Sequence, residues 1–426
     1  MPPDLAATRA FSIEVVQQLK QAGFQALWAG GCVRDLLLGR ESKDFDVATN
    51  ATPDEVRDVF GHDHTLPIGA SFGVITVNGG RRRGQVEVAT FRTDMGYSDG
   101  RRPDAVRFSS AEEDAQRRDF TINGMFYDPV EEKVLDYVGG QRDLKNGLVR
   151  SIGNPYLRFE EDKLRMLRAV RFSSTFAFDL ELATQRAIRE FASHIHVVSA
   201  ERIAAEMRRM LVDNHRMIAV RMLRDLTLMD ELLPELDSVV GHALRWSETY
   251  QSLERLQVAD FSAAMALLLR YACQRSVLNG EPHRPVEPAA AIAARWKLTN
   301  DETKTIQWIL RHEGLIRRAD EVAWPKLQRL LIQEPAPLLI EAGRAIQRAK
   351  AISTEGVDYA RSRIELPEED LNPAPLLNGG DLIQAGYQPG PQFQRVLEAV
   401  RDEQLEKRIA TTAEALDFVK VQWDNL

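Results

Sequence analysis

Gly30-Gly31-Cys32-Val33-Arg34-Asp35, followed closely by Lys43-Asp44-Phe45-Asp46-Val47, is the stretch on which the reading of this chain turns. A paired glycine with a basic residue close behind can meet a triphosphate. Two carboxylates spaced i, i+2 on a strand project to one face, while Phe45 and Val47 point into a core. Hard oxygen ligands of this kind suit Mg²⁺, which is usually bound by one or two carboxylates plus substrate phosphates. The pattern points to nucleotidyl-transfer chemistry, with Asp44 and Asp46 as catalytic metal ligands, rather than to a binding module. A lone Asp-x-Asp also suits a polar strand edge or turn, so the surrounding sequence has to decide.

Outward from that motif, residues 24 to 150 mix short β-rich runs with Gly and Asp punctuation: Ala26-Leu27-Trp28, Phe45-Asp46-Val47, Gly73-Val74-Ile75-Thr76-Val77 and Val86-Glu87-Val88-Ala89-Thr90. Helical spacing separates several of them. In Thr52-Pro53-Asp54-Glu55, the Thr is a good N-cap, Pro53 takes the first helical position and Glu55 completes a capping box. This predicts a small mixed α/β domain. Glu87 alternates against Val86 and Val88; it is either a third catalytic acid beside the Asp pair or a solvent-facing strand residue. From Pro155 onward the chain reads as almost wholly helical. Breaks near Asn279-Gly280-Glu281-Pro282 and Leu366-Pro367-Glu368 suggest subdomain borders, and Asn372 to Pro391 reads as a Pro/Gly-rich loop leading into a last helix. The fold class is therefore α+β, organised as a head over 1–150, a helical neck over 151–280 and a helical body and tail over 281–426.

A chain of 426 residues exceeds what one hydrophobic core supports. No window approaches ~18 uninterrupted apolar residues, so no membrane span is expected, and Met1-Pro2-Pro3-Asp4 has neither the basic start nor the apolar run of a secretory signal. Two cysteines, Cys32 and Cys273, make no disulfide framework, which fits a reducing, cytoplasmic setting. A net charge of -8 and a pI near 5.7 argue against a protein that coats nucleic acid indiscriminately. They leave room for a folded RNA partner met by a local basic patch.

Two further blocks carry chemistry. In Arg117-Arg118-Asp119-Phe120-Thr121-Ile122-Asn123, Arg118 can reach phosphate oxygens and Asp119 can accept from ribose hydroxyls; a surface salt bridge is the alternative. In the run Arg158 to Phe172, Phe159, Leu164, Leu167 and Val170 fall on one helical stripe that should be buried. Asp162, Arg165 and Arg168 line a charged stripe beside it. One account is an i, i+3 ion pair worth a few tenths of a kcal/mol. The other is base reading, because a carboxylate beside a guanidinium offers an acceptor and a donor to a Watson–Crick edge. Cytosine and adenine both show an amino donor and a ring-nitrogen acceptor. Guanine and uracil show the reverse and would leave two groups unpaired, at roughly 1–3 kcal/mol apiece.

These blocks, in this order, resemble those of class II tRNA nucleotidyltransferases, the CCA-adding enzymes, within the larger group that includes bacterial poly(A) polymerases. Gly30 to Asp35 through Asp44-Phe45-Asp46 is similar to the family's catalytic motif, and Arg118-Asp119 to its ribose-selecting motif. Asp136-Tyr137-Val138-Gly139-Gly140-Gln141-Arg142-Asp143-Leu144 resembles the hinge between head and neck. Glu161-Asp162-x-x-Arg165 resembles the amino-acid template, and Glu201-Arg202-Ile203 a neck-helix motif. The resemblance implies a polymerase-β-like head and an extended all-α body that grips tRNA. It implies Mg²⁺ on Asp44 and Asp46, with Gly30, Gly31 and Arg34 around the triphosphate. Asp119 would check for a ribose, and Asp162 with Arg165 and Arg168 would select CTP, then ATP, without a nucleic-acid template. Thr93 to Pro103 resembles the flexible loop used to switch from C to A, and its composition also suits a plain surface loop.

The product is the finer question. Ile68 to Val77 is closer to the CCA-adding pattern than to the Arg-rich run expected of poly(A) polymerases. The segment Leu376-Leu377-Asn378-Gly379-Gly380-Asp381-Leu382 resembles the tail of tRNA enzymes, departing from it at Asn378 and Gly379. An enzyme adding only CC or only A has the same shape. A sugar-nucleotide glycosyltransferase would keep the Asp pair but leave Asp162 and Arg165 unexplained; an RNA-binding module with an inert head would not need the pair at all. Gly61-His62-Asp63-His64 has metal-ligand residue types, but adjacent loop residues seldom converge on one ion. No His-Asp pair in the helical half resembles a phosphohydrolase motif. Arg317, Arg318, Arg344, Arg348 and Lys350 are candidate tRNA-phosphate contacts or, alternatively, a solvated face.

Overall fold

The computed structural model describes residues 4–42, 44–95, 105–278 and 286–423, and in it the acidic motif opens a short strand at the centre of a seven-stranded sheet. The strands are β1 (Ala26–Ala29), β2 (Asp46–Thr49), β3 (Thr65–Leu66), β4 (Val74–Asn78) and β5 (Gln85–Thr90). After a separate antiparallel ribbon, β6 (Arg92–Met95) with β7 (Ala105–Phe108), come β8 (Phe126–Asp128) and β9 (Lys133–Leu135). Their order is β3-β4-β5-β2-β1-β8-β9. The β2–β5 pairing is parallel and the other pairings of this sheet are antiparallel. The expected mixed sheet is therefore present; the ribbon β6–β7 has no counterpart in the sequence reading. Lys43, and the part of the Thr93 to Pro103 stretch beyond Met95, lie outside the described residues.

The helices around this sheet are α1 (Leu5–Gln21), α2 (Gly31–Leu37), α3 (Pro53–Phe60), α4 (Gly80–Arg83), α5 (Ala111–Arg117) and α6 (Gly140–Lys145). All four residues of β1 are buried because both sheet faces are covered. Leu27, Ala29 and Ala48 pack with Phe91, Phe126, Ala111 and Ala115, so α5 closes one face. Trp28 and Val47 alternate to the other face, against which α1 lies. There Phe45 packs on the fully buried Trp28, with ring centroids 4.8 Å apart. The start of α3 has the capping box read from the sequence: Thr52 accepts from Glu55 N at 3.4 Å, and Glu55 accepts from Thr52 N at 2.7 Å. Such caps contribute about 1 kcal/mol.

The head ends on β10 (Leu148–Val149), and beyond it come α7 (Pro155–Glu161), α8 (Leu164–Phe176), β11 (Asp179–Leu180), α9 (Leu182–Phe191), α10 (Ala200–Val212), α11 (Arg216–Asp225) and α12 (Leu228–Leu232). Phe159, Leu164, Leu167 and Val170 are buried as their spacing predicts. The run does not form one helix, however. Asp162 leaves the helical region at φ -148° and ψ 105° and separates α7 from α8. Its Oδ1 accepts from Leu164 N at 3.0 Å, the side-chain-to-backbone bond by which Asp competes with helical hydrogen bonding.

The chain divides into two compact units, Met1–Pro234 and Glu235–Leu426. The second is helical, and the break near Leu366-Pro367 separates the helices Glu355–Ile364 and Glu368–Leu371. The break near Asn279 lies outside the described residues. The Asn372 to Pro391 stretch differs from a plain loop. Asn378 and Asp381 form a capping box that starts a helix over Gly379–Gln384, and two further helices follow, Gln392–Leu405 and Thr412–Gln422. Leu377, Leu382, Phe393, Val396, Val400, Ala415 and Val419 bury one another there. Among the described residues, no helix is long and apolar enough to cross a membrane.

Candidate nucleotide-transfer site

Parallel pairing of Val47 with Val88 sets Asp46 and Glu87, one step earlier on each strand, side by side at the same end of the sheet. Asp44 reaches the same place from the loop before β2 rather than from the strand itself, since the strand begins at Asp46. Ser42 steadies that loop by donating to the Asp44 carbonyl at 2.8 Å. Asp46 is open to solvent yet surrounded by protein. Loss of bulk water around it, then the charge of Glu87, and last that of Asp44, push its carboxyl up to about 6 against the pull of Arg118. All three acids named from sequence are thus felt at one point.

Among the described residues, no group of three or more His, Cys, Asp or Glu side chains is arranged to hold a metal ion, which includes Gly61 to His64. Two carboxylates alone make an incomplete oxygen shell. That composition fits Mg²⁺, which commonly takes one or two protein carboxylates and fills its remaining positions with phosphate and water. The crowding of negative charge that lifts Asp46 is what a cation would relieve.

Arg118 ties the acids to the glycine pair. Asp114, on α5, which Arg118 follows as the C-cap, receives its Nε at 3.1 Å and its Nη2 at 2.9 Å. Its Nη1 lies 3.1 Å from where a Cβ on Gly30 would fall, and Gly30 has φ +74°, so this position requires glycine twice over. Arg34, expected at the triphosphate, is 8% exposed and lies beneath the pair, its Nη2 3.6 Å from the Cβ position of Gly31. It donates to Asp35 from Nε at 2.9 Å and Nη2 at 2.8 Å, and to Asn123 Oδ1 from Nη1 at 2.7 Å.

Asn123 continues to the ribose-selecting candidate, donating to Asp119 Oδ1 at 3.2 Å. Arg168 grips the other oxygen with Nε at 2.8 Å and Nη2 at 2.5 Å. Burial alone would raise the Asp119 carboxyl, but the charge and hydrogen bond of Arg168, the bond from Asn123 and the charge of Arg165 bring it down to about 2. Asp35, Arg34, Asn123, Asp119 and Arg168 thus form one unbroken polar chain.

Asp162 and Arg165 are not paired with each other. Arg202 on α10 donates to Asp162 Oδ2 at 2.6 Å, and Arg165 donates to Glu161 at 2.5 Å and to the Arg158 carbonyl at 3.1 Å. The i, i+3 ion pair is therefore absent, because the helix break at Asp162 turns its carboxylate towards α10. Each group keeps capacity to spare, since a carboxylate accepts about four hydrogen bonds and a guanidinium has five donors. The residues that sequence reasoning left without a role are Asp114, Asn123 and Phe176, whose ring centroid lies 4.5 Å from the Arg34 Cζ. Asp114 was legible in its i, i+4 spacing to Arg118; the other two act only through contacts made across the fold.

Three family models match the chain in succession. They are described as the Poly A polymerase head domain over residues 26–150, the probable RNA and SrmB binding site of polymerase A over 177–240, and tRNA nucleotidyltransferase domain 2 over 284–419. The chain is 31% identical over 410 residues to the CCA-adding enzyme of Lactobacillus helveticus, covering 95% of each chain. It is 33% identical over 392 residues to that of Geobacillus thermodenitrificans, covering 91% of each. The solved CCA-adding enzyme of Bacillus stearothermophilus in complex with CTP matches with a TM-score of 0.77 and 28% identity, over 97% of this chain and 98% of that one. The Thermotoga maritima CCA-adding enzyme complexed with tRNA, at 21% identity and a TM-score of 0.65 over 97% and 94% of the two chains, shares the fold.

Proposed function

This chain belongs to the family of CCA-adding enzymes, and on that premise we propose that it adds C, C and A from CTP and ATP to the 3′ end of tRNA, releasing pyrophosphate at each step. The observation that carries the chemistry is the convergence of Asp44 and Glu87 on Asp46. The family likeness along nearly the whole length of both chains supports the product.

Asp44 and Asp46 would hold Mg²⁺, which when bound supplies the positive charge that neutralises the triphosphate and favours loss of the hydroxyl proton. The terminal 3′-oxygen of the tRNA forms a bond to the α-phosphorus, and the bond from that phosphorus to the β-bridging oxygen breaks. The hydroxyl proton passes to the carboxylate cluster, where exposed Glu87 can hand it to water. Gly30 and Gly31 let the backbone approach the triphosphate, Arg118 faces its negative charge, and Arg34 supports the glycines from below. Asp119, fixed by Arg168 and Asn123, accepts from the ribose. Asp162 accepts from the amino group of cytosine or adenine while Arg165 donates to the neighbouring ring nitrogen. We assign residues 1–150 to the head, 151–280 to the neck and 281–426 to the tRNA-binding body and tail. A cytoplasmic setting, where tRNA, CTP and ATP meet, is part of the same proposal.

The test uses Mg²⁺ and three tRNA transcripts ending before CCA, after one C, and after both. Each receives labelled CTP, ATP or both, read at single-nucleotide resolution. Growth of all three to one CCA end, stopping there, is the expected result. A halt after CC, extension only of the CC-ended transcript, or long A tails would assign a partial or poly(A) activity instead.

A further inference from the structure

Helix α8 carries Arg165 and Arg168 near its start and Phe172 and Phe176 at its end. Phe176 lies under the Arg34 guanidinium, with the Cζ 4.5 Å from the ring centroid, and Phe172 flanks it at 5.4 Å. The two rings are stacked at 6.3 Å with planes 12° apart, and Phe176 also takes Arg40 at 5.0 Å. Cations within ~6 Å of a ring centroid are attracted by the negative face of the ring, more strongly when water is excluded. Arg34 is nearly buried.

The same rigid helix therefore touches the site at two places. At its start it reaches the base-reading and ribose-selecting groups; at its end it clamps the guanidinium that supports Gly30 and Gly31. From Arg165 to Phe176 the axis rises roughly 16 Å at about 1.5 Å per residue. The polar chain from Arg34 through Asn123 and Asp119 to Arg168 closes the loop from the head side.

We infer that Phe176, on α8, is a positioning residue that sets the phosphate end of the site through Arg34. This rests on the nucleotidyl-transfer reading above. Phe176 touches the guanidinium and leaves the base-reading pair alone, so its loss changes the rate of transfer while leaving the choice of base unchanged.

The test is steady-state CTP addition to a tRNA transcript lacking CCA, with the wild type, Phe176→Leu and Phe176→Tyr, alongside thermal melting of each. Leu keeps the apolar contact and removes the aromatic face; Tyr keeps the face. We expect Phe176→Leu to lower kcat by about three- to tenfold, Phe176→Tyr to stay near wild type, and the CTP:UTP preference to be the same in all three. Arg34→Lys, which keeps the charge but loses the planar face, is the second probe should Phe176→Leu fail to fold, and it should show the same fall. Wild-type kcat in Phe176→Leu or Arg34→Lys, an equal loss in Leu and Tyr, or an altered base preference overturns the inference. A wild-type protein that adds no nucleotide sinks the nucleotidyl-transfer reading instead.

Discussion

Arg202 on α10 holds the Asp162 carboxylate at 2.6 Å, across a gap of 40 residues in sequence. The acceptor assigned to base reading is thus aimed by a helix that carries none of the catalytic acids. Arg202→Ala should leave Asp162 held only by the bond from Leu164 N to its Oδ1, with Oδ2 no longer aimed. Misincorporation of UTP relative to CTP should rise about tenfold, the scale of one lost well-oriented hydrogen bond. Primer extension with mixed nucleotides measures the ratio, and an unchanged ratio would show that Asp162 needs no such support.

Asp44→Ala and Asp46→Ala should each depress nucleotide transfer by at least about a hundredfold, because each removes an oxygen assigned to the metal. Retention on a tRNA gel shift should stay within about twofold, phosphate contacts being made elsewhere. Loss of tRNA binding in step with loss of transfer would mean that these acids are structural. Glu87→Gln should cost less than either, since its neighbour Asp46 remains.

Gly30→Ala places a methyl 3.1 Å from Arg118 Nη1 at a residue with φ +74°. With ψ at -125° as well, this is a backbone region that strains an ordinary residue by about 1–3 kcal/mol, and Arg118 must move away from the acids. KM for CTP should rise by about tenfold, with KM for tRNA unaltered; steady-state kinetics with each substrate varied separately will show it.

Asp119 gives the protein an acid-sensitive element. Its carboxyl is near 2 when folded, against an ordinary value of 3.8. A depressed folded pKa contributes stability that is complete above the unfolded value and is lost as pH falls through the folded one. The contribution, about 2 kcal/mol, should therefore fade between about pH 5 and pH 2. Asp119→Asn should melt at lower temperature than wild type at pH 7, with the gap narrowing as pH falls towards 3. A gap independent of pH would show that the Arg168 pairing is not what lowers this carboxyl.

The parts legible in sequence were those whose cause is local. The capping box at Thr52 and Glu55, the strand around Glu87 and the buried stripe of Leu164, Leu167 and Val170 all follow from spacing within one element. Asp162 misled because its neighbours are good helix formers, and only its own bond to Leu164 N interrupts them. Arg34 shows the limit of a local pattern in another way. Its residue type suits a phosphate, but its guanidinium is committed to Asp35, to Asn123 in the next block and to Phe176 on α8. The pairing of Arg168 with Asp119, 49 residues apart, has no signature in either local pattern.

The bond from Leu164 N to the Asp162 carboxylate also bears on how this protein can change over generations. One side chain begins a helix and, on the reading above, names the nucleotide. A substitution that relaxed the choice of base would at the same moment unseat the first turn of α8, with Arg165 and Arg168 on it. Drift towards other terminal sequences is then opposed by selection on folding as well as on the tRNA product. The fidelity of the tRNA end is guarded by the need of the neck to stay folded.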